Sequence, residues 1–106
     1  MKNAYSIHLA EHPGRICIAD LSEPPLLDPT AWWIHRINVP TQVRGRGYGT
    51  TLLGLIIFDA DAEGVELALT PLATGGLTKM QLRDWYLRHG FVWVKEPDMH
   101  LRRQPS

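Results

Sequence analysis

The chain has 106 residues, about the size of one small domain with a single core. Lysine plus arginine and aspartate plus glutamate both number 11, so the formal charge is zero, and 44% of the residues are hydrophobic. This balance argues against general binding to nucleic acid or to an acidic membrane, because both rest on many cationic contacts.

Residues 5–10 and 15–21 read as two strands. Tyr5, Ile7 and Leu9 alternate with Ser6, His8 and Ala10, and His12, Pro13 and Gly14 between the runs mark a hairpin turn. The lone cysteine, Cys17, permits no internal disulfide; it reads as a buried strand residue in a reducing compartment. Residues 22–30 hold three prolines and no periodicity, so a loop is expected. Residues 32–39 form a third strand, rich in aromatic and β-branched side chains.

A helix is expected over residues 47–63. Leu52, Leu53, Ile56, Ile57 and Ala60 share one face at helical spacing, and Gly64 supplies the stop. Gly54 inside it costs about 1 kcal/mol relative to alanine, which close packing on the sheet or on a cofactor would explain. Asp59, Asp61 and Glu63 near its C-terminal end read as a solvated face. A fourth strand follows at 65–70 and a loop at 71–76. Thr78 and Gln81 have the spacing of a capping box, so a second helix begins near Lys79, with Met80, Leu82, Trp85, Tyr86 and Leu87 as its apolar surface and Gly90 at its end. Residues 91–94 are a fifth strand. After Glu96, Pro97 and Asp98, residues 99–103 form a sixth that pairs back as a hairpin.

The stretch joining the third strand to the first helix carries the chemistry. Gly45, Gly47 and Gly49 alternate, with Arg44 and Arg46 interleaved. Glycine lets backbone approach a ligand closely, and the first turn of a helix offers free N–H groups at the positive end of the dipole. An ordinary glycine-rich turn is the plainer alternative. The dinucleotide fingerprint fails, because the sixth position from Gly45 is Thr50, and no Gly-Lys-Ser/Thr of a Walker loop is present.

What does match is Arg44-Gly45-Arg46-Gly47-Tyr48-Gly49, of the form Arg/Gln-x-x-Gly-x-Gly/Ala, preceded by Val39-Pro40 and followed by Leu52-Leu53. It resembles the acetyl-CoA pyrophosphate loop of the GNAT superfamily of N-acetyltransferases. Downstream, Tyr86-Leu87-Arg88-His89-Gly90-Phe91 resembles that family's Tyr-x-x-x-Gly-Phe segment, and the resemblance spans roughly residues 31–94. It implies an α/β (α+β) fold over residues 1–106: a mixed, mostly antiparallel sheet in the order β-β-β-α-β-α-β-β, with helices on both faces. The family's elements before the first hairpin are missing, so a short member with an open acceptor side is expected. A protein substrate, or a second copy of the chain completing the wall as a homodimer, would fit that openness.

The resemblance further implies an acetyl-CoA-dependent N-acetyltransferase that acts on an amine, with a protein among the acceptors. The amides around Arg46, Gly47, Tyr48, Gly49 and Thr50 would hold the pyrophosphate, and Arg44 and Arg46 would add charge. Gly45 belongs to the same turn. Ile37, Asn38 and Val39 would flank the pantetheine arm, and the Val39 amide would face the thioester oxygen. Tyr86 would be the general acid, since a phenol near its ordinary pKa of about 10 keeps its proton at neutral pH. The family's asparagine before this tyrosine is replaced by Lys79. For the general base, His35 has a suitable intrinsic pKa, although strict alternation aligns it with Ile37 and Val39 unless a bulge intervenes. Glu23 is another candidate, and an exposed amine could lose its proton to water. A non-catalytic CoA-binding or protein-interaction module is the alternative function. No metal and no membrane partner are expected. Residues 1–8 are too polar for a signal peptide, and the default location is the cytosol.

Overall fold

A computed structural model describes residues 1–10, 15–71, 78–95 and 99–106. The elements are β1 (Ala4–His8), β2 (Ile16–Ser22), β3 (Ala31–Asn38), a short 3-10 turn (Thr41–Val43), α1 (Tyr48–Glu63), β4 (Glu66–Leu69), α2 (Lys79–Arg88), β5 (Val92–Val94) and β6 (His100–Arg103). Their chain order is the expected one. The turn at 12–14, residues 72–76 of the expected loop and the turn at 96–98 lie outside the described residues.

The six strands form one sheet in the spatial order β1-β2-β3-β4-β6-β5. Large residues face small ones across the first hairpin: Tyr5 lies opposite Ala19, and Ile7 opposite Cys17. β3 and β4 run parallel, paired at Ala31–Glu66, Trp32–Leu67 and Trp33–Ala68. β6 inserts between β4 and β5, antiparallel to both.

Helix boundaries follow local chemistry. Gly47 (φ 82°) and Gly64 (φ 68°) flank α1 in the left-handed conformation that glycine adopts without a Cβ penalty. α2 opens with the predicted capping box: Thr78 Oγ1 accepts from the Gln81 amide at 3.1 Å, and Gln81 Oε1 accepts from the Thr78 amide at 2.9 Å.

Both helices lie on one face of the sheet, which corrects the expectation of helices on both. The connections β3–α1–β4 and β4–α2–β5 step across the sheet in the same direction, and right-handed crossovers of that kind place their helices on the same side. Arg103 of β6 reaches both: its Nη1 donates to Asp61 of α1 at 2.7 Å, and its Nε to the His89 carbonyl at the end of α2 at 3.0 Å. The core fills this layer. Leu52, Leu53, Ile56 and Ala60 of α1 are fully buried in one cluster with Cys17, Ala19, Leu67 and Leu101. On the opposite face Trp33 and His100 have ring centroids 5.5 Å apart. Arg102 pairs there with Asp28 at 2.6 Å and Glu66 at 2.8 Å, which ties the proline-rich loop to the sheet.

The acidic end of α1 is not a solvated face. Asp59 accepts from the Tyr5 hydroxyl at 2.6 Å. Burial, then this bond, pushes the Tyr5 pKa up to about 12. Asp61 accepts from Arg103 and from the Ser106 amide, and those bonds hold its carboxyl below the usual range. Glu63 pairs with the Met1 amino group. Each carboxylate thus tethers another part of the chain, an arrangement that helical periodicity alone does not reveal. Gly54 also departs from expectation. It packs on neither sheet nor cleft, and a Cβ there would meet nothing within 4 Å.

Candidate functional site

The parallel pairing of β3 and β4 stops at Trp33–Ala68, yet β3 continues to Asn38. The two strands separate beyond that point and open a cleft of about 780 Å³, within the range of small-molecule sites. One wall is β3 from Ile34 to Asn38 with Val39 just beyond it, and Leu69, Thr70 and Pro71 also line the cleft. The glycine turn closes one end, and α2 contributes Gln81, Leu82, Trp85 and Tyr86.

At the glycine turn the backbone itself lines the cleft. Gly45 (φ 83°) and Gly47 (φ 82°) are both left-handed, and no other residue type takes that region freely. Gly47 caps α1 without a side-chain hydrogen bond, and the Thr51 amide is the first to bond back into the helix, to the Gly47 carbonyl at 3.0 Å. The amides of Tyr48, Gly49 and Thr50 precede that bond, at the positive end of a 16-residue helix beside the cleft. This suits an anionic group. Arg44 lines the cleft, but its Nε donates to the Val39 carbonyl at 2.9 Å and braces the turn against β3. Arg46 is exposed and is not part of the cleft wall. Lys79, at the start of α2, also stands outside it.

At the other end the wall depends on a bulge. Asp20 pairs with Arg36 and Leu21 with Ile34, so His35 is the extra residue on β3. The alternation is thereby broken. His35 lines the cleft, and its Nε2 lies 2.8 Å from Ser22 Oγ. Arg36 forms an ion pair with Asp20. Ile37, Asn38 and Val39 continue the same wall. Glu23 does not line it.

Tyr86 also lines the cleft. It is buried, packs edge-on against Trp85 (4.9 Å) and Phe91 (5.3 Å), and makes no hydroxyl hydrogen bond among the described residues. Burial pushes its pKa up to about 12, so it stays protonated at neutral pH. Cys17 is fully buried and its thiol is also pushed up by burial, so it carries no reactive thiolate. Among the described residues no group of histidine, cysteine and acidic side chains could hold a metal ion, and no helix is long and apolar enough to cross a membrane. Trp85 was missed from sequence, where it reads as part of an apolar helical face. Its place immediately before Tyr86 was the available signal.

No family model matches the sequence, and no curated protein matches it either. Solved structures do. An acetyltransferase of the GNAT family from Staphylococcus aureus Mu50 superposes with a TM-score of 0.63 at 17% identity, over 85% of this chain and 60% of that one. The anti-CRISPR protein AcrVA5 gives a TM-score of 0.65 at 15% identity, over 95% of this chain and 98% of that one. N-acetylglutamate synthase from Neisseria gonorrhoeae, solved with coenzyme A and L-arginine, gives 0.61 at 23% identity, over 89% of this chain and 23% of that one. The chain thus spans under two thirds of the first and third of these proteins and almost all of the second. The mixed sheet, the separation of β3 from β4 and these superpositions together establish that the chain has the fold of the GNAT acetyltransferases.

Proposed function

We propose that residues 1–106 act as one acetyltransferase domain, moving the acetyl group of acetyl-CoA to an amine on a protein. The observation that carries this reading is the meeting, in one cleft, of a helix N-terminus built on left-handed glycines and a buried, protonated tyrosine. The first suits a diphosphate and the second a departing thiolate. The neighbour that holds coenzyme A shares this fold.

In the proposed reaction the acceptor amine attacks the thioester carbonyl, with the Val39 amide donating to the developing oxyanion. The C–S bond then breaks, and the amine loses one proton while the thiolate gains one. Tyr86 at about 12 is a far weaker acid than a thiol of ordinary pKa near 8.5. Its main contribution is therefore a hydrogen bond to the leaving sulfur, and its proton transfers only as the ammonium on the other side gives one back. His35, placed in the cleft by the bulge, is the candidate base. Arg46 and Lys79 remain proposed contacts for the cofactor's phosphates outside the cleft wall.

The expected location is the cytosol. A homodimer would complete the acceptor wall. The test is thermal melting and calorimetry with acetyl-CoA. Binding to the native state alone at 100 times Kd stabilises by about 2.7 kcal/mol, which raises the melting temperature by several degrees. No shift at millimolar ligand overturns the assignment. Binding without release of free thiol in the presence of any acceptor would favour a non-catalytic module.

A further inference from the structure

The cofactor reading leaves Trp85 without a role, and the geometry gives it one. Its indole bridges the two functional ends of the cleft. On one side its Cζ2 and Cη2 lie 3.9 Å from where a Cβ on Gly49 would stand, in the first turn of α1. On the other it meets the Tyr86 ring edge-on at 4.9 Å. Its orientation is held by His89, whose ring meets it edge-on at 5.3 Å and whose Nδ1 is hydrogen-bonded to the Trp85 carbonyl at 2.8 Å. The indole is only half-buried and lines the cleft. Any ligand that anchors a diphosphate on the amides of Tyr48 to Thr50 and presents a thioester to Tyr86 must cross this ring.

We propose that Trp85 is the floor under the pantetheine arm and sets affinity for the arm rather than for the nucleotide. The proposal rests on the acetyl-CoA reading. The arm is a chain of methylenes and two amides, and a flat indole offers it apolar area at little entropic cost. The nucleotide half would end at the diphosphate, on the main-chain amides of Tyr48 to Thr50 beside one edge of the ring, whereas the arm would run along it toward Tyr86.

The experiment separates the two halves of the cofactor. Wild type, Trp85→Ala, Trp85→Leu and Trp85→Phe are titrated by calorimetry with acetyl-CoA and with adenosine 3′-phosphate 5′-diphosphate. Trp85→Ala should lose about 10- to 100-fold in acetyl-CoA affinity, while the nucleotide half binds within about threefold of wild type and so reports an intact fold. Trp85→Phe should hold both affinities within about threefold. If Trp85→Ala does not fold, Trp85→Leu carries the test, with about a tenfold loss for acetyl-CoA alone. Unchanged acetyl-CoA binding, or equal losses for both ligands, overturns the role of Trp85 and leaves the cofactor assignment standing. Failure of wild type to bind either ligand overturns both.

Discussion

The glycine turn at residues 45–49 and the bulged stretch at 34–36 border the same cleft but are built differently. In the turn, two left-handed glycines present main-chain amides, Arg44 braces the backbone, and Arg46 stands outside the cleft wall. In the bulge, the polar groups are side chains: His35 beside Ser22, and Arg36 against Asp20. A site made of backbone constrains residue type, because only glycine takes a φ near +80° freely. A site made of side chains constrains register, and one inserted residue reassigns every side chain after it to the other face. The first kind tolerates change in its side chains. The second tolerates change in its backbone only where the register survives.

The sharpest test of that contrast removes one hydroxyl. Tyr86→Phe preserves the ring contacts with Trp85 and Phe91, so a folded protein with unchanged acetyl-CoA affinity is expected. Turnover should fall by about 10²- to 10⁴-fold if the hydroxyl serves the leaving thiolate. Steady-state rates paired with a binding isotherm decide it, and rates within about threefold of wild type remove Tyr86 from the mechanism.

A smaller effect is expected at the turn. Gly47→Val forces a β-branched residue into a left-handed conformation, a strain of about 1–3 kcal/mol, although a Cβ there meets no neighbour within 4 Å. The protein should fold with a lower melting temperature and show no stabilisation by acetyl-CoA. If the ligand still stabilises this variant as it does wild type, the backbone at residues 45–49 is not the anion site.

The smallest effect has the opposite sign. Gly54→Ala places a methyl group in open space on an exposed turn of α1, and φ at Gly54 is not positive. A gain of about 1 kcal/mol is expected, with acetyl-CoA affinity unchanged. Chemical denaturation reads this directly. A loss of stability would mean that this face of α1 is covered in solution.

The order of elements, the capping box at Thr78 and Gln81, and the glycine turn were legible in the sequence because each rests on local chemistry. The side of the sheet on which α2 lies was not, since it follows from the direction in which β4–α2–β5 steps across the sheet. Nor were the roles of Asp59, Asp61 and Glu63, whose partners lie 54, 42 and 62 residues away in the chain. His35 could be named from its chemistry, but its place in the cleft hangs on a bulge that no glycine or proline marks. Trp85 was hidden by its own helix, where an apolar residue reads as core.

Arg103 has a mechanical consequence. One guanidinium holds the C-terminal end of α1 through Asp61 and the C-terminal end of α2 through the His89 carbonyl. The glycine turn lies at the other end of α1, thirteen residues before Asp61 and roughly 20 Å away along the helix axis. Any tilt of α1 about that clamp would displace the clamped end least and the amides of Tyr48 to Thr50 most, and the fully buried Leu52, Leu53 and Ile56 between them oppose it.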